Sequence, residues 1–215
     1  MSAVVLAGGK SSRMGADKAF LTFAGRTFIS TITNELLKIF DQVVISTGRK
    51  NNNDFVRAVG NDKRVRLCND LYAFENPLNG LLSAFESIRD EYCFVVACDS
   101  PLICKDVVRY LCNEAISHSA AIPIWDDTDL MTCEPLVGAY QVEETKIGIQ
   151  KTIQSGRIGC KHVFSYLNDV KYVPVSDLRP FDPTLKSLIN VNTPRDYEEM
   201  NARFQLDIPL LKVSR

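Results

Sequence analysis

The sequence predicts a three-layer α/β fold of the Rossmann-like type, with a mainly parallel sheet and helices on both of its faces. Two observations support this prediction: short apolar strand-type runs alternate with amphipathic helical runs from the start of the chain, and the runs continue without an internal repeat or a linker. Alternating strands and helices are typical of parallel sheets. With a length of 215 residues, we expect residues 1–215 to form a single domain.

Strands are expected where short apolar, β-branched runs stand between polar turns. These runs cover residues 2–7, 42–47, 64–69, 92–98, 120–125, 135–140 and 170–175. The run at 92–98 is the most hydrophobic, so we expect it at the centre of the sheet. Ligands of such sheets bind beyond the carboxyl ends of the strands. The loops after the first, third and fourth strands are therefore the expected site.

Helices are expected where apolar residues recur every three to four positions. This pattern covers residues 28–40, 81–88, 106–118, 143–155 and 160–167. Residues 48–53 are polar and predict a loop, while residues 75–80 have the chemistry of a turn. Near the end of the chain, Thr193, Pro194 and Asp196 form the cap, first-position proline and acid that open a last helix.

Charge and cysteine content exclude several classes of protein. The chain has 25 Lys and Arg against 26 Asp and Glu, so no global field directs it to nucleic acid or to an anionic membrane. Its apolar runs are far shorter than the ~20 residues of a spanning helix, and the start lacks the basic region of a secretory signal. The 7 cysteines contain no C-x-x-C pair, which argues against a disulfide framework or zinc site. We expect a cytoplasmic protein.

The loop after the first strand has the composition of a phosphate-binding turn. It reads LAGGKSSRMGADK over residues 6–18. Its glycines let the main chain approach a ligand closely, and successive N–H groups can form an anion-binding concavity. Lys10, Arg13 and Lys18 add positive charge. Neither common phosphate-loop spacing is present, and an ordinary turn with solvated charges is the alternative.

Two acidic residues stand just after predicted strands, on the same edge as this loop. Asp70 ends the run 66–70, and Asp99 ends the run 94–99. Magnesium in nucleotide sites takes one or two carboxylates together with substrate phosphates, a role that suits Asp99. The alternatives are a turn acid for Asp70 and a turn or cap residue before Pro101 for Asp99.

The string LAGGKSSRMGADKAFL resembles the signature of molybdenum cofactor guanylyltransferases, L-A-G-G-x-S-x-R-M-G-x-D-K. This family belongs to the nucleotidyltransferase superfamily. Sugar-phosphate and cytidylyl members usually have L-A-A-G, so Gly9 is similar to the guanylyl branch. By motif order the resemblance runs from Ala3 to Met200 and is weakest over residues 126–182. It implies a fold of the nucleotide-diphospho-sugar transferase type.

The resemblance also implies which residues act. Arg13, Lys18 and Asp99 would be catalytic, and Asp99 would hold Mg²⁺. Asn190 and Asn192, in the INVNTP turn, would face the acceptor or the metal, although a plain turn and helix cap is an equal alternative. Relatives often have Asn where this chain has Ser46. The implied nucleotide-binding residues are Leu6, Ala7, Gly8, Gly9, Lys10, Ser11, Gly15, Lys18, Ser46, Asp70, Gly80 and Asp99.

The implied reaction transfers GMP from GTP to the terminal phosphate of molybdopterin and releases pyrophosphate. An ionised acceptor phosphate needs no general base, and the sequence offers no Ser-His-Asp or Cys-His candidate. Catalysis would consist of positioning and charge neutralisation. One alternative is a nucleotidyltransferase that uses CTP or a sugar-phosphate acceptor, and another is a non-catalytic GTP-binding sensor. A protein that supplies or receives the cofactor would be a further partner.

Overall fold

The computed structural model describes residues 1–9, 14–72 and 76–204. Its strands, in chain order, are β1 (Ser2–Leu6), β2 (Thr22–Phe23), β3 (Arg26–Thr27), β4 (Val43–Gly48), β5 (Val65–Asn69), β6 (Tyr92–Ala97), β7 (Ala120–Ile124), β8 (Val137–Gln141) and β9 (Val170–Pro174). Among these residues, seven strands form one sheet in the order β5-β4-β1-β6-β8-β7-β9, and β2 pairs with β3 in a separate hairpin.

The sheet is mainly parallel, as the sequence predicted. β1 is parallel to β4 and β6, β4 is parallel to β5, and β7 is parallel to β9. In contrast, β8 runs antiparallel to both β6 and β7. The segment between β7 and β8 contains a short 3₁₀ helix but no crossover helix, so the chain returns along the same edge and β8 is reversed.

Helices cover both faces of the sheet and enclose two apolar cores. They are α1 (Phe28–Leu36), α2 (Asn52–Val59), α3 (Pro77–Phe85), α4 (Lys105–Glu114), α5 (Val142–Gln154), α6 (Val175–Leu178) and α7 (Pro194–Phe204). Successive strand residues point to opposite faces. Val5 and Val96 therefore belong to one core, and Val4 and Val95 belong to the other. Across the described ranges, no helix combines the length and apolar character needed to cross a membrane.

Three helices differ from the sequence-based expectation. α1 ends at Leu36, and the chain continues as a turn rather than as helix to residue 40. α2 lies partly where a polar loop was predicted, because the side chain of Asn51 accepts a hydrogen bond from the N–H of Asn53 and starts the helix. Only Phe55 is buried along α2, so no apolar periodicity revealed it. The segment Cys160–Tyr166 is a 3₁₀ helix.

The start of α3 is also a correction that bears on the site. The sequence placed residues 75–80 in a turn, but α3 begins at Pro77, and Gly80 lies inside the helix. The side chain of Asn76 accepts a hydrogen bond from the N–H of Leu78 at 2.9 Å and caps the helix. Proline is well tolerated at the first helical position, where its missing N–H leaves no bond unmade. The turn-like residues are therefore the cap and first turn of a helix.

Candidate active site

A cleft of about 770 Å³ opens at the carboxyl edge of the sheet. It lies at the edge that the sequence predicted, because β1, β4, β5 and β6 are parallel and end there together. It brings together many of the predicted site residues: Leu6, Gly8, Gly9, Lys18, Ser46, Asp70, Gly80, Asp99 and Asn192. Ala7, Gly15 and Asn190 do not line it. Lys10, Ser11 and Arg13 lie outside the described residues.

Lys18 joins two segments that are far apart in sequence. Its Nζ donates a hydrogen bond to Oδ1 of Asn192 at 2.6 Å and lies 3.2 Å from Oδ2 of Asp99. The Lys18 side chain is only 13% exposed and that of Asp99 23%, so water screens the pair only partly. Lys18 opens a short 3₁₀ helix that is capped by Asp17. The ammonium is therefore held in a fixed position at the cleft wall.

The turn that carries Asn192 is fixed by the start of α7. Oδ2 of Asp196 accepts hydrogen bonds from the N–H groups of Asn192 and Thr193, each at 2.8 Å. The Thr193 hydroxyl in turn accepts from the N–H of Asp196 at 3.2 Å. The predicted cap of the last helix is thus confirmed. These bonds, first that from Asn192, hold the pKa of the Asp196 carboxyl below its usual value.

Asn190 supports this turn instead of facing the cleft. Its Oδ1 accepts a hydrogen bond from the hydroxyl of Ser100 at 2.7 Å. One residue later, the N–H of Val191 donates to the carbonyl oxygen of Asp99 at 2.8 Å. Both bonds tie the turn to the loop after β6. Asn190 therefore contributes to the site through the position of its neighbours.

The glycine-rich loop is packed directly against the end of β4. A Cβ on Gly8 would lie 2.7 Å from Cα and 2.8 Å from the nitrogen of Gly48, closer than ordinary side-chain contacts permit. Gly48 itself has a φ of +66°, in the left-handed region that favours glycine. This approach of two main chains sets the distance between the loops on either side of the cleft.

Lys50 links these loops through its side chain, and no pattern in the sequence indicated this role. Its Nζ donates a hydrogen bond to the carbonyl oxygen of Ala7 at 2.6 Å and pairs with a carboxylate oxygen of Asp17 at 2.7 Å. Lys50 and Arg49 both line the cleft. Their position just after β4, at the ligand edge, is the signal that could have identified them.

The far end of the cleft contains polar atoms that lack partners. Oδ1 of Asp70 and the hydroxyl of Ser46 are buried, and neither has a hydrogen-bond partner among the residues that the structure describes. A Cβ at Gly80 would lie 2.7 Å from the Ser46 hydroxyl, so glycine is what allows α3 to approach here. Burial raises the pKa of the Asp70 carboxyl. A polar atom buried in this way costs about 1–3 kcal/mol, a cost that a ligand's hydrogen bonds would offset.

The site suits a magnesium ion held jointly by the protein and the substrate, rather than a metal held by protein side chains alone. Within the described part of the chain, no group of three His, Cys, Asp or Glu side chains could hold a metal. Asp99 uses Oδ2 to contact Lys18, and among the described residues its Oδ1 makes no hydrogen bond. Mg²⁺ is usually held by one or two carboxylates together with substrate phosphates and water. Asp99, one carboxylate in a cleft of about 770 Å³ that has room for a nucleotide, meets that requirement.

Comparison with known proteins identifies the family of this chain. Residues 3–155 match the family described as MobA-like NTP transferase domain. A relative from Methanosarcina acetivorans, described as a probable molybdenum cofactor guanylyltransferase, is 33% identical over 93% of this chain and 89% of its own length. A relative of the same description from Clostridium perfringens strain 13 is 32% identical over 93% of this chain and 95% of its own.

Solved structures show the same fold. The molybdopterin-guanine dinucleotide biosynthesis protein A of Archaeoglobus fulgidus superposes with a TM-score of 0.79 at 24% identity, covering 97% of this chain and all of that one. A nucleotidyl transferase from Methanothermobacter superposes with a TM-score of 0.73 at 17% identity, covering 96% of this chain and 98% of that one. The sequence match extends over most of the chain and includes the strands that carry the cleft. The chain therefore belongs to the MobA-like NTP transferase family and is a nucleotidyltransferase.

Proposed function

We propose that this nucleotidyltransferase transfers GMP from GTP to the terminal phosphate of molybdopterin and releases pyrophosphate. The observation that carries the proposal is the Lys18 ammonium, which contacts both Asp99 and Asn192 where the glycine-rich loop meets the turn before α7. The names of relatives at 31–33% identity, all described as probable molybdenum cofactor guanylyltransferases, support the choice of nucleotide and acceptor.

The nucleotide occupies the part of the cleft formed by β1, β4, β5 and α3. Gly8 and Gly9 allow the main chain to approach the triphosphate closely. Asp70 and Ser46 offer to the nucleoside the two oxygens that have no partner within the described ranges. Guanine carries an exocyclic amino group that such acceptors can bind. Arg13, together with Lys10 and Ser11, is assigned to the triphosphate from the sequence alone.

The reaction is an in-line displacement at the α-phosphorus of GTP. An oxygen of the acceptor phosphate forms the new bond to phosphorus, and the bond to the bridging oxygen breaks as pyrophosphate leaves with its electron pair. The acceptor oxygen is already ionised at neutral pH, so no general base is required. Lys18 stabilises the charge that develops at the α-phosphate. A preorganised contact of this kind is worth about 10²–10³ in rate.

Asp99 and Asn192 complete the assignment. Asp99 would hold Mg²⁺, which when bound neutralises negative charge on the triphosphate oxygens. Asn192 keeps the Lys18 ammonium in place through the 2.6 Å hydrogen bond and lies on the acceptor side of the cleft. Asn190 holds the same turn through Ser100. The acceptor phosphate is thereby brought to the same charged centre as the α-phosphate.

The test measures pyrophosphate release with GTP, CTP, ATP and UTP in the presence of Mg²⁺, each with and without molybdopterin. We expect release only with GTP and molybdopterin together, and a product with the mass of the guanine dinucleotide. Lys18→Ala should lower this activity about 10²–10³-fold, whereas Lys38→Ala, which removes an exposed lysine of a surface ion pair, should leave it unchanged. A preference for CTP would indicate a cytidylyl enzyme. Binding of GTP without release under any condition would indicate a sensor.

A further inference from the structure

Trp125 is a large aromatic side chain held at the surface in a fixed orientation. It is the only tryptophan of the chain, and 49% of it is exposed. Its indole Nε1 donates a hydrogen bond to Oε1 of Glu134 at 2.9 Å. Leu130 and Met131, on the same loop, are 52% and 61% exposed. Grouped exposed apolar side chains around an anchored aromatic ring are typical of binding surfaces.

This surface lies at the same edge of the sheet as the active-site cleft. Trp125 directly follows β7, and Leu136, which lines the cleft, precedes β8. The N–H of Ala97 at the end of β6 donates to the carbonyl oxygen of Leu136 at 3.0 Å. β7 is two strand spacings from β6, a distance of about 10 Å. Trp125 therefore follows β7 at the same edge of the sheet as Asp99, with β8 between β7 and β6, on the side away from β1 and β4.

The loop around Trp125 is acidic and internally braced. Oδ1 of Asp126 accepts hydrogen bonds from the N–H and hydroxyl of Thr128 at 2.9 and 2.6 Å. Asp129 caps the N–H of Met131 at 2.9 Å. Carboxylates accept hydrogen bonds, so this surface favours the N–H edge of a flat heterocycle.

We propose that Trp125 is the stacking platform for the ring system of the acceptor, a pterin whose phosphate lies at Lys18. This proposal rests on the proposed transfer to molybdopterin and adds a residue that determines affinity for the acceptor. Glu134 is a positioning residue, because it fixes the plane of the indole without touching the ligand. Stacking of a heterocyclic base on an aromatic side chain contributes about tenfold or more to affinity.

The test compares the full-length protein with Trp125→Ala, Trp125→Phe and Ile116→Ala. Calorimetry measures the Kd for neopterin 3′-phosphate, and steady-state kinetics measures the KM values for molybdopterin and GTP. Trp125→Ala should raise the Kd and the KM for molybdopterin about tenfold, with the KM for GTP unchanged. Trp125→Phe keeps an aromatic face and should stay within about threefold of the wild type.

Ile116→Ala is the matched control and should change none of these values. Ile116 is an equally exposed apolar side chain, at 59%. The next residue, Ser117, donates its N–H to the hydroxyl of Tyr92, the first residue of β6, so Ile116 lies at the opposite edge of the sheet. Glu134→Ala should give a smaller loss of pterin affinity than Trp125→Ala, and Glu134→Gln should restore it.

Several outcomes would overturn the stacking site. A folded Trp125→Ala protein with unchanged Kd and KM for both pterin ligands excludes it, even if the variant weakens binding of a protein partner. Equal losses for GTP and for the pterin would indicate a general disturbance and would also exclude it. Failure of the transfer itself is distinguishable: the wild type would then release no pyrophosphate with molybdopterin, while a Trp125-dependent Kd for neopterin 3′-phosphate would still support the pterin site.

Discussion

The contact between Gly8 and Gly48 predicts a strong effect of a single methyl group. In Gly48→Ala, the new Cβ would lie 2.8 Å from Cα and 3.0 Å from the carbonyl oxygen of Gly8, whereas carbon atoms in good contact are ~3.5–4.0 Å apart. Both neighbouring atoms are main chain and cannot rotate away. The glycine-rich loop must therefore move away from β4, or the end of β4 must move.

Two energetic costs determine the expected loss of stability in Gly48→Ala. An alanine at the φ of +66° of Gly48 costs about 1–2 kcal/mol. The overlap with Gly8 adds about 1–3 kcal/mol, as overpacking in a closely packed region usually does. We expect the free energy of unfolding to fall by about 2–5 kcal/mol in all. Displacing the loop by about 1 Å should also lower turnover about 100-fold.

Gly25→Ala supplies the matched control. Gly25 has a φ of +75°, and a Cβ there would meet no heavy atom within 4 Å. The free energy of unfolding of that variant should fall only by the cost of alanine in the left-handed region, about 1–2 kcal/mol, and its turnover should be unchanged. Urea denaturation gives the stabilities, and pyrophosphate release gives the rates. Equal stability losses in the two variants, with turnover preserved in Gly48→Ala, would refute the reasoning.

Four further predictions concern single side chains of the cleft. Lys18→Ala and Asp99→Ala should each lower kcat about 10²–10³-fold in a folded protein. Lys50→Met should raise the KM for GTP and destabilise the protein by about 1–3 kcal/mol, because Ala7 and Asp17 lose a partly buried cation. Asp70→Asn should stabilise the ligand-free protein at pH 7 by about 1 kcal/mol and weaken GTP binding. Cys98 should react with iodoacetamide at pH 8 roughly 10³-fold more slowly than a thiol of pKa 9.0, because burial raises its pKa to about 12.

The sign of the Asp70 effect follows from its raised pKa. The unfolded chain loses this proton at a lower pH than the folded protein does, so the carboxylate destabilises the fold above the raised pKa and not below both values. The advantage of Asp70→Asn should therefore shrink as the pH falls through that range, measured by urea denaturation at several pH values. Parallel stability curves for wild type and variant would contradict this account.

Each of the other side-chain predictions would be contradicted by a specific result. Near-normal turnover in a folded Asp99→Ala protein would remove the assigned metal ligand. Lys50→Met is compared with Lys38→Ala, an exposed lysine whose loss should leave the stability within about 0.5 kcal/mol of wild type. If both lysine variants are equally stable, the hydrogen bond between Lys50 and Ala7 contributes little to stability. Rapid alkylation of Cys98 in the native protein would show that the thiol is more accessible than its 8% exposure indicates.

The location of the cleft could be predicted from the sequence, but its connections could not. Asp70 and Asp99 follow apolar runs, and the carboxyl ends of parallel strands share one edge. The hydrogen bond between Lys18 and Asn192, in contrast, joins residues 174 positions apart. No local pattern encodes that pairing, because it depends on how the turn before α7 packs against the loop after β6.

The residue types of two predicted loops also indicated only part of their structure. Residues 48–53 are polar and predicted only a loop, so neither Lys50 nor the start of α2 was found. Glycine and proline near residue 77 predicted a turn, whereas Pro77 begins a helix and Gly80 provides the space for Ser46. In both places the tertiary environment, which supplies a helix cap or a close neighbour, determines a conformation that propensity alone leaves open.

The reversal of β8 divides the sheet into a parallel part, β5-β4-β1-β6, and a part that joins it through β8 alone. The strands on the nucleotide side, β5, β4, β1 and β6, pair in parallel with one another, and only β6 meets β8. Residues 125–136 leave the sheet at the end of β7 and rejoin it at β8. Insertions before Glu134 would lengthen that excursion without entering any of the parallel strands. If the proposed stacking site is right, the loop beside the acceptor can change in length while the strands that end at Asp70 and Asp99 keep their pairing.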